Sequence, residues 1–452
     1  MRKESRRYLG LWGIVALLVV LSACERPFVE ISTPSIKFVS PDLSTVLVNE
    51  RVQFSVSASS FRTVKEVRLN GVPMTFDPGS NRWDVTFELA RGLNTLVAVA
   101  IDVDDVMGVD TAYAVFMPFR FVQNAPRMAE PRGGHTATLV PGGSLIVMGG
   151  TDDLNGPAHS DAFRLLPGGS RFELLDDTLN VARTGHTATR LPDGRVLILG
   201  GSRSNDIAGI VDLVETVELF DPATMQFHVV PFEGQPIRRT LHTAVLRNVS
   251  SSLIIDLYGG RGDIRYGDEP RVGTRRDMRS FEFVGDSLVA LNTLASAPFL
   301  DAAISGHTET PIIATSPGVL NAYLILGSFF DNLGADEVSF RIDYTTPPDI
   351  FLTDAPSMIT PRTRHAAGTL GNGFLVIFGG RLASPLSALE RGEIYNVQAD
   401  RFFLLPNTSP AIKRFGHTAT NLSAQRILLV GGFATDGNSL AFSEFFDAGI
   451  AN

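Results

Sequence analysis

The sequence predicts an all-β protein in which a β-sandwich precedes a six-bladed β-propeller. Apolar residues alternate with period two from Ile36 to about Met117, and beyond them a histidine-centred phrase recurs six times. The 42 glycines and 26 prolines among 452 residues supply turns rather than helix interiors. With 44% hydrophobic and 19% charged residues the chain is neither disordered nor collagen-like. A net charge of −9 and a pI near 5.4 argue against a sequence-independent grip on nucleic acid, so no nucleic-acid partner is expected. A single cysteine excludes an intramolecular disulfide framework and a cysteine-rich metal site.

Residues 1–24 read as an address. Arg2, Lys3, Arg6 and Arg7 precede an apolar run over residues 11–21 that is short for a membrane span. Leu21-Ser22-Ala23-Cys24 then resembles the lipobox of bacterial lipoproteins, and the one cysteine stands where that resemblance places the lipid. The alternatives are a signal peptide with an unrelated cysteine, or a short anchor. The resemblance implies lipidation at Cys24, a location in the cell envelope and a membrane partner; Glu25 in place of aspartate favours the outer membrane.

Residues 33–118 carry half-buried strands such as Val52, Phe54, Val56, Ala58 and Trp83, Val85, Phe87, Leu89. Asn70-Gly71 is a hairpin turn signal, and polar clusters at 77–81 and 102–110 end other strands. The run from Gly92 through Leu96, Val99 and Ile101 to Asp102 resembles the penultimate strand of bacterial immunoglobulin-like domains. Asp102, Asp104 and Asp105 lack the loop spacing of a calcium motif and read as a solvated turn. The domain is expected to act as a spacer.

Residues 119–452 hold the repeats. His135, His186, His242, His307, His365 and His417 are each followed by a phrase ending in Gly-Gly, except that the fourth copy has Gly327-Ser328. The second copy reads Arg183-Thr184-Gly185-His186, then Asp193-Gly194, then Val196-Leu197-Ile198-Leu199-Gly200-Gly201, then Phe220-Asp221-Pro222. Asp193-Gly194 suits a positive-φ hairpin, the apolar run a buried second strand, and the glycine pair a close backbone approach. Together these phrases resemble the bacterial kelch repeat, although Phe172, Phe227 and Phe402 stand where its fourth-strand tryptophan is expected. The sixth copy ends before a fourth strand. The segment 119–125, similar to the fourth strand of the fifth copy, is expected to complete that last blade and close the ring.

The chemistry expected of this scaffold is modest. One histidine per blade places six imidazoles at equivalent positions, a structural pattern rather than a convergent metal site. Kelch propellers include copper oxidases that need a cysteine crosslinked to a tyrosine, and Cys24 alone does not provide it. No enzyme activity, catalytic residue, metal or cofactor is therefore expected. Arg132, Arg183, Arg239, Arg362 and Arg414 stand three residues before their histidines, with Ile304 the exception. They form either a cationic ring at one mouth, suited to carboxylate or sulfate, or pairs with carbonyls and acids of the framework. Loops over 151–160, 202–210, 261–279 and 381–389 open on the same face, and Arg261, Arg265, Arg275, Arg276 and Arg381 join the candidate binding set. Arg261-Gly262-Asp263 matches an integrin-ligand tripeptide, attributed here to coincidence. The expected function is non-catalytic recognition or scaffolding at the cell surface, with protein or glycan bound on the loop face; the alternative is a carbohydrate-active isomerase or lyase working in the channel.

Overall fold

The computed structural model describes residues 32–204, 212–266, 269–291, 303–312, 322–330, 334–343, 351–382, 387–406 and 413–449. Cys24 lies outside them. Among these residues the regular structure is β, apart from a one-turn 3₁₀ helix at Gly371–Gly373, and no helix is long and apolar enough to cross a membrane.

The N-terminal part is two four-stranded antiparallel sheets. Strands Ser35–Ser40, Arg51–Ser59, Arg82–Glu88 and Thr75–Asp77 form one, and Val72–Pro73, Val64–Leu69, Gly92–Asp102 and Met107–Phe116 form the other. Period-two alternation sends Phe54, Val56, Val67, Leu69, Leu96, Ala98 and Ala100 into one shared core. Asn70 and Gly71 have φ of 47° and 83°, the pair of positive values that a tight hairpin turn demands.

Five of the six histidine phrases open a sheet whose first four strands run antiparallel from the centre outwards or nearly so, as in Thr187–Arg190, Val196–Leu199, Val217–Asp221 and Gln226–Val230. The sixth sheet borrows its outer strand: Phe119–Val122 pairs antiparallel with Ser443–Ala448, matching Phe121 to Phe446 and Phe119 to Ala448. The six innermost strands touch one another in cyclic order, the last against the first, so the arrangement is propeller-like.

A ring of backbone hydrogen bonds lies where these sheets meet. Gly185 donates to Gly134 (2.9 Å), Leu241 to Gly185 (2.8 Å), Gly306 to Leu241 (3.0 Å), Arg364 to Gly306 (2.6 Å), Gly416 to Arg364 (2.7 Å) and Gly134 to Gly416 (2.8 Å). Each of the six residues, which directly precede the histidines, has φ between 52° and 69°. Four are glycine, for which this conformation is cheap; Leu241 and Arg364 hold it at a cost. A second set of bonds links each glycine pair to the next sheet, for example Gly201 to the Arg239 carbonyl (2.9 Å) and Gly432 to that of Arg132 (2.8 Å). A Cβ on Gly200 would lie 2.5 Å from the Arg239 oxygen, which is why the strand ends in a residue without one.

Two expectations are corrected. The segment 261–279 is not a loop: Arg261–Tyr266 and Glu269–Thr274 form a hairpin, joined by Arg239–Thr240 into a three-stranded sheet, and Arg279 already belongs to the strand Met278–Val284. Nor is the sandwich a free spacer. Val46 donates to the Leu404 carbonyl (2.9 Å) and Leu404 to that of Ser44 (2.8 Å), adding a parallel edge to the fifth ring sheet. Val46, Val115 and Met117 are buried in the same cluster as Phe374, Phe403 and Phe446 of the ring.

Gly431→Ala is expected to destabilise the fold far more than Gly142→Ala. Both have positive φ, but a Cβ at Gly431 meets the Arg132 carbonyl oxygen at 2.5 Å whereas at Gly142 nothing lies within 4 Å. The second change should cost about 1 kcal/mol of backbone strain and the first several-fold more; equal unfolding midpoints in urea would contradict the close-approach account.

Candidate functional site

The five arginines expected at a channel mouth are interior instead. Arg132, Arg183, Arg239, Arg362 and Arg414 are at most 1% exposed. Each guanidinium reaches the carbonyl of the first glycine of its own pair, as Arg362 does to Gly379 (2.7 Å) and Arg414 to Gly431 (2.9 Å). Each also meets an acid arriving on or just before the third strand: Arg132 with Asp161 (2.7 Å), Arg239 with Asp277 (3.1 Å), Arg362 with Glu393 (2.7 Å), Arg414 with Glu444 (2.7 Å), and Arg183 with Glu218. Glu218, Glu393 and Glu444 are fully buried, and the first two also accept from backbone amides, Glu218 from Asn180 (2.7 Å) and Val181 (3.1 Å) and Glu393 from Ile359 (2.7 Å) and Thr360 (2.8 Å). Burial lowers the pKa of Arg239 to about 10, only partly offset by Asp277, and lowers Arg183, Arg362 and Arg414 as well. These groups are framework, closed to any ligand. In the fourth copy the arginine is Ile304, and by strand register Phe340 replaces the acid, so the pair is lost as a unit.

The histidines form the next layer. His186 Nε2 meets Thr136 Oγ1 (2.9 Å), His242 meets Thr187 (3.2 Å), His307 meets Thr243 (3.0 Å), His365 meets Thr308 (2.8 Å), and His135 meets Thr418 across the closure (3.3 Å). The fifth copy has Ala366 at the threonine position, and His417 Nε2 has no partner. Burial pushes the His135 and His307 imidazoles down to about 3 and the other four well below their ordinary value, so all six are neutral at pH 7. With Leu241 and Arg364 they line a central cavity of about 160 Å³. Arg364, a cation on this wall, escaped the sequence reading; the signal was its departure from the glycine found before four other histidines.

The remaining predicted residues lie on the loop face, where segments after the glycine pairs bridge segments before the histidines, as Thr184 with Ser202 and Thr363 with Arg381. Arg275 forks onto Asp277 (2.6 and 2.8 Å), and with Arg239 it holds that carboxyl down to about 2 against the opposing effect of burial. Arg238 ties Glu215 to Asp263, so the acid of the tripeptide Arg261-Gly262-Asp263 is engaged within the face. Arg261 is half-buried at the hairpin base, Arg276 is exposed, and the Arg265 side chain lies outside the described residues. Arg381 sits 5.3 Å from the Phe415 ring centroid; its buried Nε has no partner, and among the described residues no carboxylate pairs with it. Phe415 packs with Phe433, Leu154 and Ala388 into an apolar cluster spanning three sheets. That cluster was legible only as Phe415 standing where other copies carry Thr184, Thr240 and Thr363. At the far end of the sandwich, Asp102 accepts from the amides of Asp104 (2.9 Å) and Val106 (3.0 Å), a self-capped turn.

No family model matches the chain, and no curated protein matches it. Among solved structures it is similar to a fungal alcohol oxidase of the AA5 family in complex with copper, at a TM-score of 0.48 and 14% identity, over 91% of this chain and 76% of that one. The expectation that the protein is not an enzyme is corrected to this extent: the similar structure is itself an enzyme, and a fold alone does not exclude catalysis. Among the described residues no group of three or more His, Cys, Asp or Glu side chains is placed to hold a metal ion.

Two outcomes follow from the buried pairs and the belt. Arg362→Met should cost about 3 to 5 kcal/mol by stranding Glu393, and adding Glu393→Leu should recover most of it, as the fourth copy does naturally; denaturant unfolding of the single and double variants decides. The histidines should also make the fold acid-labile. Their folded-state pKa values are depressed, so the unfolded chain binds more protons and stability falls as pH drops from about 6.5 towards 3, by about 1.4 kcal/mol per pH unit for each fully titrating histidine. A midpoint that is flat between pH 7 and 5 would contradict this.

Proposed function

We propose that the chain is an envelope lipoprotein, acylated at Cys24 and held at the outer membrane, whose immunoglobulin-like sandwich carries a six-bladed kelch-type propeller that binds protein or glycan through its loop face. One observation carries the binding site: after the third glycine pair the chain forms the hairpin Arg261–Tyr266 and Glu269–Thr274, six residues to each strand, where the corresponding pair after the fifth, Arg381–Leu382 with Ser387–Ala388, has two. Long insertions on a rigid scaffold are where recognition concentrates. Arg276, exposed beside this hairpin, and Arg381, stacked on the apolar cluster, add cations for a carboxylate or sulfate partner. A second reading places an enzyme site in the central cavity, favoured by Arg364 among six neutral imidazoles. Burial holds all six imidazoles well below their ordinary pKa, which makes them weak bases at neutral pH and is why the loop face is preferred.

Two arms test this reading. Cys24→Ser should release the protein from membranes and abolish labelling by a palmitate analogue; equal labelling removes the lipoprotein assignment. Replacing residues 261–274 by a short Gly-Ser turn, in a chain lacking residues 1–24, should leave folding intact and remove the ligands found by glycan-array and pull-down screening, with salt weakening those that are acidic. Ligands retained by both this variant and Arg381→Ala would move recognition off the loop face.

A further inference from the structure

We propose that the end of the sandwich remote from the ring is a membrane-contacting tip, in which Phe61, Val103 and Met107 enter the interfacial region of the bilayer that holds the lipid. The proposal rests on the lipoprotein reading for its tether and on the structure for its geometry.

Strand register gathers these residues at one end. Ser35, the first strand residue of the described chain, pairs with Ser59, two residues before Phe61. Val64 pairs with Asp102, Ile101 with Met107, and Val103 donates to the Thr63 carbonyl (3.0 Å). Pro34 lies so close over Gly108 that no side chain fits there, which fixes the chain's entry beside Met107. The same strands run from this tip to the ring: Gly92–Asp102 spans about 33 Å at the usual rise per residue, and its Gly92 end pairs with Phe116 beside the buried seam.

The tip is apolar and unpartnered among the described residues. Phe61 is 93% exposed, Met107 57% and Val103 52%. A phenylalanine this bare is unusual on a soluble surface, and here it stands at the sandwich end to which the anchor leads. Ten residue steps lead from Cys24 to Pro34, a reach of at most about 35 Å, so a lipid at Cys24 holds this end of the molecule nearest the bilayer. The nearby charges are paired, Arg62 with Asp104 and Lys65 with Asp105, which leaves little net charge to repel or require anionic lipid. One acyl-bearing cysteine gives a swivel; apolar side chains beside it add a second contact and set the ring about 33 Å above the surface.

The test uses the full chain as processed in cells, reconstituted in vesicles of phosphatidylethanolamine and phosphatidylglycerol at three to one containing brominated acyl chains. Phe61→Trp should be quenched strongly and Leu174→Trp, an exposed site on the first ring sheet, should not. Equal quenching of the two overturns the tip. Acylation is read separately from the mass of the N-terminal peptide, so loss of the lipoprotein reading is recognised independently. The unacylated Cys24→Ser chain should bind the same vesicles weakly, and Phe61→Ser should lower that partitioning about tenfold. Unchanged partitioning, or a Phe61-dependent dimer in light scattering in place of vesicle binding, overturns the proposal.

Discussion

Six backbone hydrogen bonds, passed from the residue before one histidine to the residue before the next, hold this molecule closed. Each of the six residues both donates and accepts in the cycle, and each sits at positive φ. The rest of the repeat serves that geometry. Glycine supplies the conformation in four copies. The arginine three residues before each histidine, present in five, ties the incoming segment to the glycine pair of its own sheet and to a third-strand acid. In five copies the histidine then spans to a threonine of the preceding sheet.

Polar residues are therefore the joints of an otherwise apolar ring. A buried arginine is tolerated because its fork matches a carboxylate and a carbonyl at once, and a buried histidine because it gives up its charge. The fourth copy shows the alternative: Ile304 stands in place of the arginine and Phe340, by strand register, in place of the acid, both buried and uncharged. Departures from the repeat identify the places free for other work. Arg364 faces the central cavity, Phe415 seeds the apolar cluster under Arg381, and the hairpin of the third sheet stands out on the loop face.

The sandwich and ring are joined by more than a linker. Ser44 to Val46 extends the fifth ring sheet, Phe119–Val122 completes the sixth, and the chain between them runs through the sandwich core. Val46, Val115 and Met117 share a core with Phe403 and Phe446, so the axis of the sandwich is set relative to the ring. A long, stiff pair of sheets then separates the ring from the end at which the chain enters.

By itself the sequence determined the periodic features. Alternation wrote the sandwich strands, and the recurring Arg, Gly, His and Gly-Gly positions wrote the ring sheets, because each residue type there answers a local demand on φ, on strand face or on turn. The similarity of residues 119–125 to a fourth strand even marked the strand that pairs with Ser443–Ala448. Only the tertiary structure decided which groups are available. The arginine ring looks like a binding site in sequence because charge in a loop is normally solvated; the acids that bury it arrive from about 30 residues further on, as Glu393 does for Arg362. Likewise a run of mixed charge over 261–279 gave no sign of a hairpin until its backbone found Arg239–Thr240, and the bare Phe61 acquired a direction only when strand register set it beside the chain's entry. Composition and spacing are properties of neighbours along the chain; pairing, burial and exposure are settled by residues far apart in it.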